Sequence, residues 1–126
     1  MTAPSERPGG APCTVATGLV DWAQRTPDRV ALDDGTHRVT FAEVDALAGT
    51  LARRIRERHS VRAQGGFLPV LVGPDVASAI ALHAAVRSGI PWAPIDRDLP
   101  DAALVHLLDR CGRPPLVVAS TPRPLP

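Results

Sequence analysis

The feature that most constrains the fold is the alternation of short apolar runs with helical patterns in the second half of the chain. Runs at 67–72, 91–95 and 116–119 predict three short strands, and stretches of helical periodicity separate them. Runs that are apolar throughout are typical of strands buried on both faces. The order strand–helix–strand–helix–strand therefore predicts a parallel sheet with right-handed crossovers.

Both helices of this unit carry terminal signals. Asp75 is predicted to cap the first, which runs to Ser88, and Gly89 suits the left-handed position that often follows a helix. Asp101 is predicted to cap the second, which runs to about residue 109. The residues of this last helix that are expected to face inward are Leu104, Leu107 and Leu108.

The chain before this unit begins with a predicted helix. Thr14 can cap a helix over 15–24, and the step Thr26-Pro27 ends it because proline disfavours helical geometry at the preceding residue. The apolar residues that share one face of this helix are Val15, Leu19, Trp22 and Ala23.

A β-hairpin is predicted next. Asp34-Gly35 fits a two-residue type I′ turn, because both positions tolerate a positive φ. This turn fixes the register of the two strands. The expected cross-strand pairs are Leu32 with His37 and Val30 with Val39.

A second, longer helix follows the hairpin. Thr40 and Glu43 have the spacing of a capping box, and the helical pattern ends near Arg58. Its apolar stripe consists of Phe41, Val44, Leu47, Ala48, Leu51, Ala52 and Ile55. The predicted fold class is therefore α/β, with an N-terminal helix and β-hairpin followed by a β-α-β-α-β parallel sheet unit.

Proline and glycine mark the boundaries of this fold. Residues 1–13 are expected to form a disordered leader, 14–120 the folded subdomain, and 121–126 a proline-rich tail. A loop containing Gly65-Gly66 separates the two halves. It is no dinucleotide fingerprint, because it precedes a strand instead of linking a strand to a helix.

Composition excludes several classes of function. Hydrophobic residues make up 44% of the 126 residues, which excludes disorder of the whole chain. The formal net charge of +1 gives no electrostatic reason to expect nucleic acid or an acidic membrane surface as a partner. All 14 basic residues are arginine, so mechanisms that need a lysine are excluded for this chain.

Location is also constrained by composition. The longest helical apolar stretch, 76–86, is too short to span a bilayer, and nothing before Cys13 is typical of a signal peptide. Cys13 and Cys111 lack the close spacing of zinc ligands. A cytoplasmic protein with free thiols is therefore expected.

Two stretches together resemble the adenylate-forming superfamily, that is, the AMP-dependent synthetases and ligases. Residues 26–32 read TPDRVAL and 39–44 read VTFAEV, similar to the family's TPD-x-x-A hairpin and TY-x-EL helix start. Residues 86–96 read VRSGIPWAPID, similar to LKAG-x-x-x-x-P-L-D. The match looks most like the amino-acid or aryl-acid adenylation domains of nonribosomal peptide synthetases, and it implies a fragment of the larger N-terminal domain of such enzymes.

The resemblance also implies what this chain lacks. Family members join a carboxylate to the α-phosphate of ATP, with Mg²⁺, through a loop ending in P-K-G, a substrate pocket and a C-terminal lysine that all come later in the sequence. We therefore expect no catalytic, cofactor-binding or metal-binding residue here, and no activity from the chain alone. Departures from the family pattern occur at Pro69, His83 and Arg97.

Three functions fit these observations. The leading hypothesis is an N-terminal fragment of an adenylate-forming ligase, whose partner is the remaining part of a split enzyme or a synthetase. The alternative is a non-enzymatic interaction or scaffold module derived from such a domain, docking through an open sheet edge and an apolar patch. An independent nucleotide-binding domain is disfavoured, because no glycine-rich loop opens a helix after a strand.

Several polar residues invite a functional interpretation, and each has a structural one that we prefer. A basic cluster near a helix end suits an anion or partner, yet it equally suits a solvated face that complements the helix dipole. Three aspartates could hold a metal ion, but caps and turns also explain them. Two histidines and a cysteine have no catalytic spacing, and two tryptophans suit a core or a half-buried position. These sets are Arg53, Arg54, Arg56, Arg58 and His59; Asp96, Asp98 and Asp101; His83, His106 and Cys111; and Trp22 and Trp92.

Overall fold

The computed structural model describes residues 14–59, 67–112 and 117–118. The predicted leader, the Gly65-Gly66 loop and the proline-rich tail lie outside the described residues. In chain order the elements are α1 (Val15–Arg25), β1 (Val30–Asp33), β2 (Arg38–Thr40), α2 (Phe41–His59), β3 (Leu68–Val72), α3 (Val76–Ser88), β4 (Trp92–Asp96), α4 (Asp101–Arg110) and β5 (Val117–Val118). The predicted order of helices and strands is confirmed.

The three later strands form a parallel sheet in the order β4-β3-β5, as the alternating pattern predicts. The central strand β3 is buried along most of its length. The expectation that every strand is buried on both faces is wrong for β4, where Ile95 is buried and Pro94 is exposed. Because β4 lies at an edge of the described sheet, the missing N–H of Pro94 costs little there.

Helices cover both faces of this sheet. Alternate residues of a strand point to opposite faces. Leu68 and Val70 of β3 join the buried core formed with α2 and α3, whereas Leu71 joins Ile95 and Leu104 on the side of α4. The core residues that α2 and α3 contribute are Ala48, Ala52, Ile55, Ala81, Ala84 and Ala85. The small alanine side chains allow these two helices to pack closely.

Most of the predicted caps are confirmed. The Thr17 amide donates to Thr14 Oγ1 at 3.2 Å, and the Ser78 amide donates to Asp75 Oδ1 at 2.7 Å. Thr40 and Glu43 form the capping box, in which the Thr40 amide donates to Glu43 Oε2 at 2.8 Å. Gly89 has a φ of 73°, the left-handed geometry expected after α3.

Two predictions about α4 are wrong. Pro100, not Asp101, occupies the N-cap position, and Asp101 is the first helical residue. The fixed φ of proline places the chain ready to enter the helix, so the helix starts one residue earlier than a cap at Asp101 would give. Leu107 is 37% exposed instead of facing inward, because α4 contacts the sheet chiefly through the fully buried Leu104.

The predicted register of the hairpin is also wrong. Leu32 pairs with Val39 and Val30 with Thr40, with an irregularity between them, so that the loop spans 34–37. The side chain of Asp34 accepts hydrogen bonds from the Thr36 and His37 amides at 2.9 and 2.6 Å. Aspartate turns of this kind compete with a two-residue turn and lengthen the loop.

α1 packs against α2 and α3 through only part of its predicted apolar face. Leu19 and Ala23 are buried, but Val15 is 67% and Trp22 46% exposed. The Trp22 ring stacks on Phe41, with 6.1 Å between centroids. Trp92 is half-buried against the core, so the expectation of a buried or half-buried tryptophan is confirmed for Trp92 and wrong for Trp22.

None of the helices in the described ranges combines the length and hydrophobicity that crossing a membrane requires.

Candidate functional site

The aspartates near the end of β4 make a turn. The Asp98 amide donates to Asp96 Oδ1 at 2.9 Å, and the Leu99 amide donates to the Asp96 carbonyl at 3.2 Å. Within residues 14–59, 67–112 and 117–118, no three histidine, cysteine or acidic side chains come close enough to hold a metal ion. The turn interpretation of Asp96 and Asp98 is therefore confirmed.

The two histidines and the cysteine lie on different surfaces. His83 is half-buried on α3, His106 is exposed on α4, and Cys111 is a half-buried free thiol at the end of α4. Burial, and secondarily the positive charge of Arg87, lower the pKa of His83 below its ordinary 6.5.

The basic cluster of α2 does not act as one unit. Arg53, Arg54, Arg56 and Arg58 are exposed, which confirms the solvated face for these four residues. His59 is 5% exposed, so its assignment to that face is wrong. The Arg56 side chain reaches α3, where Nη1 donates to the Arg87 carbonyl at 3.1 Å.

The carboxyl end of the parallel strands is the usual place for ligands in open α/β sheets. Here that end carries the β3–α3 junction, which we define as Gly73, Asp75, Ser78 and Arg97 with Asp34 from the hairpin. Arg97 Nη1 pairs with Asp75 Oδ2, while the Gly73 amide donates to Ser78 Oγ at 2.8 Å. The junction is thus tied together by its own side chains.

Asp34 links the hairpin to this junction. Its Oδ2 accepts a hydrogen bond of 2.9 Å from the Val76 amide at the start of α3, 42 residues away. This bond, with those from His37 and Thr36, lowers the pKa of Asp34 to about 2. The Ser78 hydroxyl and amide, together with Arg97, lower the pKa of Asp75 to about 2.

The junction is poorly suited to a phosphate group. A helix N-terminus attracts anions through its free N–H groups and its dipole. At α3 two of those groups, the Val76 and Ser78 amides, already donate to the carboxylates of Asp34 and Asp75, which stay ionised at neutral pH. A phosphate placed there would meet like charge. The arrangement therefore acts as a clasp between the hairpin, β3, α3 and β4.

The absence of a side chain at Gly73 leaves room for the Arg97 guanidinium. A Cβ atom at Gly73 would lie 2.2 Å from Nε and 2.3 Å from Cζ of Arg97. A larger residue would displace the guanidinium from Asp75. The departure from the family pattern at Arg97 therefore serves the fold of this chain.

A second polar arrangement lies near the C-terminal end of α3. A groove of about 490 Å³ runs between α1, α2 and α3, and its lining includes Thr17, Asp21, Arg56 and Arg87. Arg87 Nη2 pairs with Asp45 Oδ1, and Arg87 Nη1 donates to the Asp45 carbonyl at 3.0 Å. The sequence gives no signal for this pair, because its partners are 42 residues apart.

Comparison with known proteins identifies the family. The sequence pattern of the AMP-binding enzyme family matches residues 19–124. Enterobactin synthase component F from Escherichia coli O157:H7 is 34% identical over 107 residues, which cover 85% of this chain and 8% of that protein.

Solved structures share the fold. The Klebsiella oxytoca NpsA N-terminal subdomain, in complex with 3-hydroxyanthranilyl-AMSN, matches 85% of this chain and 27% of its own at a TM-score of 0.66 and 21% identity. O-succinylbenzoate coenzyme A synthetase from Bacillus subtilis, in complex with AMP, matches 83% of this chain and 27% of its own at a TM-score of 0.65 and 28% identity.

This chain spans only a small part of each of these proteins. The family that the TPD and SGIPWAPID segments resemble is confirmed, and so is the α/β fold. The chain belongs to the AMP-binding enzyme family, and it corresponds to a part of the N-terminal subdomain of an adenylate-forming domain.

Proposed function

We propose that this chain supplies the first structural unit of an adenylate-forming domain and becomes catalytically competent only with the later segments of such a domain. The complete domain joins a carboxylic acid to ATP, forming an acyl-adenylate and releasing pyrophosphate. The observation that carries the proposal is the family match over 19–124, combined with coverage of only 27% of two solved relatives.

The residue content of the chain supports the proposal that later segments carry the catalytic groups. It contains no lysine, so neither the P-K-G loop nor the C-terminal lysine of the family has a counterpart here. The clasp of Asp34, Asp75 and Arg97 does not fit a triphosphate, as the two carboxylates already occupy the α3 N-terminus. In our proposal, ATP and Mg²⁺ are held by segments outside this chain, in a cytoplasmic enzyme of the peptide synthetase type.

A docking role is supported by a separate observation. Three large apolar side chains on the first two helices are strongly exposed: Val15 at 67%, Leu47 at 50% and Trp22 at 46%. Large apolar groups on a surface favour contact with another chain or segment. A scaffold module without activity is therefore the second candidate.

A chimera tests both candidates. The 107 matching residues of enterobactin synthase component F are replaced by this chain, and carboxylate-dependent exchange of pyrophosphate into ATP is measured with the substrate of the unmodified protein. The controls are the purified chain alone and the relative with the matching segment deleted. We expect exchange from the chimera and none from either control.

The outcomes separate the candidates. Exchange by the chain alone contradicts the requirement for later segments. A chimera that is folded by circular dichroism but inactive contradicts the enzymatic role. In that case, stable co-purification of the chain with the deleted relative would establish the scaffold role.

A further inference from the structure

Arg87, which lines the groove between α1, α2 and α3, carries a buried hydrogen-bond donor without an acceptor among the described residues. Nε of Arg87 is inaccessible to solvent and has no hydrogen-bond partner among the described residues. The side chain of Arg87 is 14% exposed and lines the groove. Buried donors in proteins are nearly always paired, and each exception calls for an explanation.

A second guanidinium reaches the same groove. Arg56 also lines it, and its Nη1 donates to the Arg87 carbonyl at 3.1 Å. Asp45 neutralises much of the charge of Arg87, and Asp21 lies 3.6 Å from Arg25. The groove therefore holds one positive charge, that of Arg56, which none of these pairs offsets.

Small residues leave room beside the two arginines. Gly49 and Ala52 of α2 and Ala16 of α1 line the groove, and a Cβ atom at Gly49 would lie 3.4 Å from Arg87 Nη1. Thr17 and Gln24 add polar groups on the α1 side. A volume of about 490 Å³ accommodates an acidic group with a short chain behind it.

We propose that this groove binds a carboxylate between Arg56 and Arg87. The planar fork of the exposed Arg56 guanidinium matches the two oxygens of a carboxylate, and charge-assisted bonds of this kind are among the strongest hydrogen bonds in proteins. The Nη atoms of Arg87 already bond Asp45, so Arg87 forms the wall of the site and reports on its occupation. A monoanion suits the site better than a phosphate dianion, because the carboxylates of Asp21 and Asp45 lie close by and repel a second negative charge. The site is separate from adenylation and needs none of its chemistry.

Arginine side-chain NMR tests the proposal on the full chain. The chain is labelled with ¹⁵N-arginine, the Nε–H signal of Arg87 is assigned by Arg87→Lys, and glutarate is titrated at constant ionic strength. We expect a saturable shift of this signal. In Arg56→Gln the dissociation constant should rise about tenfold, which corresponds to about 1.4 kcal/mol.

Two further variants make the test specific. Arg54→Gln removes an exposed arginine of the same helix that does not line the groove, and glutarate affinity should stay unchanged. Ala16→Leu fills the groove while it leaves both arginines in place, and affinity should fall. Each variant is checked for folding by its amide spectrum before titration.

The source of the carboxylate is decided by a second probe. A blocked alanine-rich pentapeptide with one central glutamate is titrated beside glutarate. Tighter binding of the peptide identifies the acidic side chain of a protein partner, and tighter binding of glutarate identifies a small acid. A shift of Arg87 that grows linearly, or equal affinities in Arg56→Gln and Arg54→Gln, would overturn the proposal. The result is independent of the exchange assay, since no ATP is present.

Discussion

Two arginine–aspartate pairs flank α3, and their surroundings differ. Arg97 pairs with Asp75 in the β3–α3 junction, and Arg87 pairs with Asp45 between α2 and α3. In the junction, the groups around the pair bind one another through the Ser78 hydroxyl and amide. Beside Arg87, by contrast, the pair leaves Nε buried and without an acceptor among the described residues.

The contrast teaches how to separate a structural clasp from a binding surface. A polar network that satisfies its own members rigidifies the fold and offers a ligand little. A network that leaves a buried donor unpaired carries a free-energy cost, and a rearrangement that brings an acceptor to the donor would remove this cost. The first description fits the junction, and the second fits the groove. Substitutions on the two sides should therefore differ in size and in kind.

The largest difference is expected between Arg87→Ala and Arg97→Ala. Arg87 is the more buried of the two, with a 14% exposed side chain against 30% for Arg97, and it bonds both the carboxylate and the carbonyl of Asp45. We expect Arg87→Ala to lower the free energy of unfolding by about 2–3 kcal/mol, below the range for fully buried pairs because Asp45 is partly solvated. Arg97→Ala should cost about 1 kcal/mol.

Urea unfolding at neutral pH measures both losses. Exposed Arg54→Ala is the matched control and should change stability by less than about 0.5 kcal/mol. Equal losses for Arg87→Ala and Arg97→Ala would show that burial does not distinguish the two pairs, and the comparison would fail.

Two glycine substitutions, one beside each arginine, should have the next largest effects on stability. Gly73→Ala forces Arg97 away from Asp75, because the new Cβ atom would lie 2.2 Å from Arg97 Nε. We expect a loss of about 1 kcal/mol. Gly49 lies inside α2 and has ordinary contact distance to Arg87, so Gly49→Ala should stabilise the protein by up to about 1 kcal/mol through helix propensity.

A double-mutant cycle checks the mechanism at Gly73. In the Arg97→Ala background, Gly73→Ala should become nearly neutral, since the clashing guanidinium is gone. An undiminished cost there would place the strain in the backbone instead. If Gly49→Ala destabilised the protein, the new methyl group would not fit beside Arg87 despite the 3.4 Å distance between Cβ and Arg87 Nη1.

Local signals predicted most of the fold. The order of elements, the capping box of Thr40 and Glu43, and the cap at Asp75 depend on residues within a few positions of one another. Such short-range chemistry can be read from a sequence. The parallel sheet was also predictable, because strand–helix alternation leaves few topologies.

Two of the errors arose where two local signals compete. Asp34-Gly35 fits a two-residue turn, but the hydrogen bonds from the Thr36 and His37 amides to Asp34 stabilise a longer loop. Pro100 and Asp101 both fit a helix start, and the proline takes the cap position. In each case the predicted element is present, but its register or its first residue differs from the prediction by one or two positions.

Neither polar arrangement could be predicted as a unit. Asp34 meets Val76, and Asp45 meets Arg87, each across 42 positions. No periodicity encodes such a contact, because it depends on how α2 and the hairpin pack against α3. In the sequence, Arg56 belongs to a basic cluster and Arg97 departs from the family pattern. No sequence feature indicates that the side chain of Arg87 is only 14% exposed.

The smallest expected effects are on the pH dependence of the unfolding free energy, which should differ between the junction and the surroundings of Arg87. The pKa of Asp75 falls from 3.8 to about 2 in the folded state, chiefly through the Ser78 hydroxyl. Its contribution is therefore complete above pH 3.8 and is lost as the pH falls towards about 2. His83, beside Arg87, has a pKa below its ordinary 6.5, so the unfolded chain is protonated first and stability declines below pH 6.5.

Two variants should each reduce one of these windows; the acid window should persist in part, because the pKa of Asp34 is also lowered to about 2. His83→Gln should flatten the decline in unfolding free energy just below pH 6.5, and Asp75→Asn should flatten the decline below pH 3.8, each by under about 1 kcal/mol. Urea unfolding at a series of pH values resolves the two, with exposed His106→Gln as the control. If His83→Gln left the upper window intact, then neither its burial nor Arg87 would govern its protonation.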